Sequence, residues 1–198
     1  ACENAPSTNT SDVSPSPVTP ARNGFHEAPP KVASRIVMRN KKSLEQVQIC
    51  VGVPSYPISH EGRYPSYILN TLLGGGMSSR LFQNIREKEG LSYGVGSFAR
   101  WGNLDANSRL GTYAIFAPEN LDRVKTGIFE EIARALRDGF TDKEVADAKA
   151  AVLQKRRLNR DNDGFLGGAL ATQSYLGRTW RETAELDAAI EALTTAQV

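Results

Sequence analysis

Alternating hydrophobic and polar positions predict two strands early in the sequence. The segments VASRIVMR (32–39) and EQVQICVGVPS (45–55) both alternate, which is typical of strands with one buried face. The polar residues 40–43 between them predict a hairpin turn. Cys50 lies in the second segment, and we expect it to be a small residue of the hydrophobic core.

Helical spacing begins after the second strand. A stripe of apolar and aromatic positions predicts a helix that the glycines 74–76 terminate. The stripe consists of Tyr64, Tyr67, Ile68, Thr71 and Leu72. The segment SSRLFQNIREKEG (78–90) predicts a second helix, with Ser78 or Ser79 as its N-cap and Gly90 at its end.

The rest of the sequence predicts two strands and then four helices. The strands are Leu91 to Ala99 and Ser108 to Ala117, and the first helix runs from Pro118 to Gly139, along a stripe that ends at Leu136. The remaining helices begin at the capping box Thr141 to Glu144, near Asp163 and near Glu182. This order predicts an α+β domain with a mostly antiparallel, mixed sheet and helices packed on one face.

The first 30 residues differ in composition from the remainder. Six of the ten prolines occur there among Ser, Thr and Asn, which predicts a linker or extended segment at 1–30 and a globular domain at 31–198. The stretch has no basic region followed by an apolar one, so no signal peptide is predicted. No apolar run approaches the roughly 18 residues of a membrane helix, and the compartment stays open.

The charge balance excludes two classes of function. The chain has 24 Lys and Arg against 22 Asp and Glu, which argues against a nucleic-acid binder or a polybasic membrane binder. One basic cluster, Lys155 to Arg157 with Arg160, predicts a solvated helix face, with a specific anionic partner as the alternative.

The two histidines do not form a zinc motif. Each is followed by glutamate, at His26 and His60, but a zinc peptidase needs a second histidine one helical turn away. Pro30 and Tyr64 occupy those positions. The sequence therefore predicts no metal site in this chain.

Two glycine patterns are better explained by structural roles than by ligand binding. The residues Gly94 to Ala99 fit the dinucleotide fingerprint G-x-G-x-x-A, but they read as a strand followed by a turn, which disfavours nucleotide binding. The glycines 74–76 predict a hinge between two closely packed helices, with an anion site at the next helix start as the alternative.

Arg86 and Tyr93 are the candidate functional residues. Arg86 lies in the last turn of the second predicted helix and Tyr93 just inside the next strand, so both side chains could converge across the corner. A guanidinium and a phenol are both hydrogen-bond donors that could hold a peptide carbonyl or stabilise an oxyanion. The alternative is structural, because cations are favoured near helix C-termini and tyrosine is common in strands.

The stretch LLGGGMSSRLFQNIREKEGLSY (72–93) resembles the zinc peptidases of the pitrilysin/insulinase type, which include the mitochondrial processing peptidases. The resemblance runs from about residue 32 to the end and follows the C-terminal domain of these proteins. It is also carried by LEQVQICVGVPSYP (44–57), by the helix start at 117–120 and by 139–149.

The resemblance implies a division of labour between two homologous domains. Zinc is expected on an N-terminal domain with the inverted motif, in the same parent chain or in a partner subunit. Arg86 and Tyr93 are then expected to bind the peptide substrate near the scissile bond, with no catalytic residue in this chain. Family members form dimers of two-domain chains around a chamber, and their C-terminal domain ends with a further helix and strand that we expect to be missing here. The alternative is a catalytically inactive scaffold subunit of the same family.

Overall fold

The computed structural model describes residues 45–103 and 107–198. The linker 1–30, the predicted strand 32–39, the turn 40–43 and His26 lie outside the described residues. Within the described part, the α+β prediction is confirmed, and the elements follow the predicted order from the second strand onward.

Three antiparallel strands form the described sheet. They are β1 (Val47–Pro54), β2 (Gly94–Arg100) and β3 (Arg109–Phe116), in the spatial order β1-β3-β2. The central strand β3 pairs along its whole length with β1 and from Arg109 to Ile115 with β2. A sheet of three strands needs a packed face to be stable, and helices supply it here.

Five α-helices and one π-helix follow the predicted pattern. The α-helices are α1 (Arg63–Gly74), α2 (Leu121–Asp138), α3 (Asp142–Arg160), α4 (Asp163–Tyr175) and α5 (Arg181–Ala192), and the π-helix is Phe82–Lys88. The predicted capping box at the start of α3 is present, because Thr141 accepts from the Glu144 amide and the Glu144 carboxylate accepts from the Thr141 amide. None of the helices in the described ranges is long and apolar enough to cross a membrane.

The hydrophobic core has two parts that meet along α1. The first lies between the sheet, the π-helix and α2, and its buried members are Leu73, Leu81, Ile85, Leu91, Val95, Ala114, Phe116, Val124 and Ile128. The second joins α1, α3 and α5 through Ile68, Leu72, Val145, Ala148, Val152 and Ile190. The first core is the one that positions the corner between the π-helix and β2.

Two predictions about burial are wrong. Cys50 is exposed, because the alternation of β1 turns Val47 and Ile49 towards the helices and therefore turns Cys50 to the other face of the sheet. The predicted stripe of α2 holds at Val124 and Ile128 but fails at Leu136, which is 84% exposed at the C-terminal end of the helix. For Cys50, the alternation itself carries this information, because Cys50 lies two residues after the polar Gln48 and therefore shares its exposed face.

Candidate functional site

The π-helix places Arg86 at the edge of the domain. The sequence predicted an ordinary helix here, but residues Phe82–Lys88 have the wider π geometry, in which Glu89 N–H donates to the Asn84 carbonyl at 2.9 Å. A π segment is rare and often occurs at functional sites. Leu81 and Ile85 are buried, and their four-residue spacing is compatible with either kind of helix.

The corner from 89 to 93 is fixed by backbone and side-chain hydrogen bonds. Gly90 takes a positive φ of 61°, which suits glycine and lets the chain reverse. Tyr93 N–H donates to the Ile115 carbonyl at 3.0 Å, and the buried Ser92 hydroxyl lies 2.7 Å from the same oxygen. The strand itself begins at Gly94, so Tyr93 precedes β2 and the prediction of a strand from Leu91 is wrong by three residues.

Arg86 and Tyr93 lie on the same side of this corner. The guanidinium carbon of Arg86 is 5.9 Å from the centre of the Tyr93 ring. The Arg86 side chain is 43% exposed and Tyr93 is 76% exposed, so neither is sealed in the interior. The structure therefore brings the two predicted residues together at a surface that a ligand can reach.

Phe82 is a third member of this group that the sequence analysis missed. The Arg86 guanidinium carbon lies 4.8 Å from the centre of the Phe82 ring, closer than to Tyr93. A cation held over two rings loses part of its freedom before a ligand arrives. The four-residue spacing of Phe82 and Arg86 is the sequence signal that could have revealed the contact.

A buried carboxylate on α2 holds the π-helix from the other side. Glu131 is 6% exposed, accepts a hydrogen bond from the Asn84 amide and forms an ion pair with Arg134 at 2.5 Å. Because a buried charge is costly unless it is paired, these two contacts fix Glu131 and through it the position of Asn84. The helix turn that carries Arg86 is thus tied to the core.

The guanidinium of Arg86 is available to a ligand. Its ion-pair contact is with Glu87 at 3.8 Å, and both side chains are half-exposed, so the attraction is weak. Within the described residues the Tyr93 phenol makes no hydrogen bond with a carboxylate, and its ring faces solvent. Two donors of this kind can share one carbonyl oxygen or one developing oxyanion.

The described residues do not fit a zinc ion. They contain no cluster of three or more His, Cys, Asp and Glu side chains with the geometry of a metal site. His60 is exposed, stacks on Tyr56 with ring centres 4.5 Å apart and accepts a hydrogen bond from the Gly62 amide through Nδ1. These contacts are those of a surface turn.

The two glycine patterns have structural roles. Gly94 and Gly96 lie in β2, and the chain continues into a loop rather than a helix, so the context required for a dinucleotide fingerprint is absent. In the run 74–76, Gly74 packs against β2 rather than against a second helix, so the hinge prediction is right about close packing and wrong about the partner.

Comparison of the sequence with known families identifies the domain type. Residues 7–152 match the family model described as the peptidase M16 inactive domain. A zinc protease of Bacillus subtilis, named as uncharacterized, is 37% identical over 112 residues, which are 57% of this chain and 27% of that protein. An uncharacterized zinc protease of Mycobacterium leprae is 38% identical over 164 residues, covering 80% of this chain and 34% of that protein.

Solved structures show the same fold. The peptidase M16 inactive domain from Pseudomonas fluorescens superposes with a TM-score of 0.67 at 21% identity, covering 77% of this chain and 36% of that one. A protease from Helicobacter pylori gives a TM-score of 0.68 at 18% identity, covering 79% and 38%.

The fold is the one seen in the solved M16 inactive domains, and no metal-holding cluster is found among the described residues. The chain belongs to the M16 peptidase family, as its inactive C-terminal domain. It spans about a third or less of the length of the relatives named above.

Proposed function

We propose that this chain is the substrate-holding half of a zinc metalloendopeptidase. In this proposal a homologous domain, in the same parent chain or in a partner subunit, carries the zinc, and Arg86 and Tyr93 grip the peptide near the bond to be cut. The observation that carries the proposal is the shared, exposed position of the two donors, 5.9 Å from guanidinium carbon to ring centre.

The proposed task of the pair is to orient a peptide carbonyl. Arg86 offers a planar set of N–H donors and Tyr93 a single O–H donor. Phe82 limits the directions in which the guanidinium can point, and the corner hydrogen bonds limit the backbone of Tyr93. Donors that are already in place stabilise charge on oxygen without the cost of reorganisation.

Replacement of either donor in the assembled enzyme is expected to lower kcat/KM. Arg86→Ala and Tyr93→Phe should each remove about 1–4 kcal/mol of transition-state stabilisation, because each removes one preorganised donor. The measurement is steady-state cleavage of a quenched fluorescent peptide by the complete two-domain enzyme.

Matched controls exist on the surface of the same domain. Arg123, on α2, pairs with Glu89 at 3.2 Å with both side chains exposed, and Tyr175 is 64% exposed at the end of α4. Arg123→Ala and Tyr175→Phe should leave kcat/KM unchanged. Equal effects of the control and site variants, or no effect of either site variant, would remove the assignment of Arg86 and Tyr93.

The isolated chain is expected to bind no stoichiometric zinc and to cleave no peptide, because its described residues offer no metal cluster. Metal analysis after dialysis and a peptide digest test both points, and tightly bound zinc would contradict the proposal. The scaffold alternative is favoured instead if neither the parent chain nor a partner subunit carries His-x-x-Glu-His.

A further inference from the structure

A cleft lies at the end of β2 that is remote from Arg86 and Tyr93. It has a volume of about 630 Å³ and is formed by the loop after β2, the start of α1, the end of α3, α4 and the start of α5. Tyr93 precedes β2 and Trp101 follows it, so the strand, roughly 20 Å long, separates the two places. The volume is typical of a ligand-binding cleft.

Aromatic side chains form much of the wall of this cleft. Trp101 stacks on Tyr67 with ring centres 5.5 Å apart and ring planes 7° apart, and Phe165 and Trp180 also line the space. Phe165 belongs to α4, which has no buried residue although its exposed side chains include Leu170 and Tyr175. A wall of this kind favours an occupant with apolar surface.

The charges around the cleft are mainly positive. Four arginines from three segments line it, namely Arg63, Arg156, Arg160 and Arg178. Asp187 forms ion pairs with both Arg156 and Arg160, and its distance to Arg160 is 2.7 Å. The prediction of a solvated basic face is therefore wrong for these two residues.

The other two arginines are held by neutral acceptors. Arg63 donates to the Ile58 carbonyl and the Tyr64 hydroxyl, and Arg178 donates to Asn103. Neither forms an ion pair with a carboxylate in the described ranges. Glu182, the acidic residue of the wall, is held by the amide and hydroxyl of Thr179; hydrogen bonds from its own backbone amide and from Thr179 lower its pKa, with a smaller contribution from the charge of Arg178. The cleft therefore offers positive charge to a ligand with carboxylates.

Two buried polar atoms in the wall lack hydrogen-bond partners. The indole Nε1 of Trp101 is a donor and the amide Oε1 of Gln173 is an acceptor, and neither has a partner among the described residues. Unpaired buried polar groups are costly. An occupant that satisfies both must supply an acceptor and a donor.

We propose that this cleft binds an acidic segment of another polypeptide chain in extended form. A peptide backbone supplies a carbonyl for Trp101 and an N–H for Gln173, and its Asp or Glu side chains pair with Arg178 and Arg63. A simple anion without a proton, such as sulfate, supplies acceptors for the arginines and the indole but no donor for Gln173. The proposal does not depend on the function of Arg86 and Tyr93.

The tryptophans provide a direct test. Trp101 and Trp180 are the only two tryptophans of the chain and both line the cleft, so intrinsic fluorescence reports its occupancy. The probe is an acetylated, amidated peptide with two Glu residues and one Leu, titrated into the full chain. We expect a saturable change in fluorescence, with binding weakened about tenfold or more when both Glu residues are replaced by Gln.

Variants of the chain separate this cleft from other positive surfaces. Arg178→Gln should weaken peptide binding about tenfold or more, and Trp101→Phe should weaken it while retaining the ring. Arg157→Gln, an exposed position on α3 outside the cleft, and Arg123→Ala on α2 should leave binding unchanged. Far-ultraviolet circular dichroism checks that each variant is folded.

The proposal is overturned by any of three results. One is the absence of a saturable fluorescence change with the acidic peptide. Another is equal affinity for the Gln-substituted peptide. The third is saturation by inorganic phosphate with the same dependence on Arg178, which would identify a small-anion site instead.

Discussion

Gly74→Ala is expected to lower the free energy of unfolding by about 3 kcal/mol or more, because a methyl group at this position collides with backbone. A β-carbon on Gly74 would lie 2.3 Å from the Ser97 nitrogen and 2.6 Å from the Gly96 carbonyl carbon. The neighbouring contact cannot widen freely, since the Ser97 hydroxyl donates to the Asn70 carbonyl at 2.6 Å. Alanine's higher helix propensity recovers only about 1 kcal/mol.

Gly76 provides the matched control for this substitution. It lies two residues further along the same glycine run, and a β-carbon there would meet no atom within 4 Å. Gly76→Ala should therefore change stability by less than about 1 kcal/mol, and in the stabilising direction through the unfolded state. Urea unfolding of both variants gives the comparison, and equal midpoints would show that the contact between α1 and β2 is not tight.

The close contact at Gly74 shows what local sequence can and cannot predict. A run of three glycines predicts a break after the helix, and α1 does end at Gly74. The reason for the first glycine is a strand more than twenty residues away in sequence, and no local pattern reveals it. The sequence analysis therefore found the right residue and the wrong partner.

The candidate site also has one feature that the sequence predicts and one that it does not. The convergence of Arg86 and Tyr93 follows from the order helix, turn and strand, which hydrophobic periodicity predicts. The π-helix does not follow, because the buried Leu81 and Ile85 satisfy an α-helix equally well. Asn84, whose carbonyl accepts the π-type hydrogen bond from Glu89, also donates to Glu131, 47 residues away, and no local pattern reveals that contact.

The cleft beyond the end of β2 could not be predicted from the sequence, because it also depends on contacts between distant segments. Its arginines belong to α1, α3 and the turn before α5, so only the folded chain brings them together. The basic run 155–157 was visible in sequence, but a helical face distributes its members in different directions. Arg156 reaches Asp187 on α5, whereas Arg157 is exposed.

Arg80→Ala is expected to cost about 3 kcal/mol of stability, a value below that of a fully buried ion pair because the partner is partly exposed. Arg80 forms two hydrogen bonds with the Glu144 carboxylate, at 2.9 and 3.0 Å, and one with the Gly139 carbonyl at 2.9 Å. Its guanidinium carbon also lies 4.2 Å from the centre of the Phe140 ring. Truncation removes all of these contacts and leaves the carboxylate without its cation.

The exposed ion pair of Arg123 with Glu89 is the control for Arg80. It has the same chemistry at 3.2 Å, but its side chains are 63% and 45% exposed, whereas Arg80 is 16% exposed. Arg123→Ala should therefore cost less than about 1 kcal/mol. A similar loss of stability in both variants, measured by urea unfolding at neutral pH, would show that burial does not strengthen the Arg80 contact.

The pH dependence of unfolding identifies Glu144 as the partner. Hydrogen bonds from Arg80, and weaker ones from Thr141, lower the pKa of Glu144 from 4.5 to about 2. A carboxyl whose pKa is lower in the folded state stabilises that state above its unfolded pKa, and the contribution is lost as pH falls from 4.5 towards 2. The difference in unfolding free energy between the wild type and Arg80→Ala should therefore shrink over this range. A difference that stays constant between neutral pH and the folded pKa would show that packing on Phe140, rather than the charge pair, accounts for the effect of Arg80.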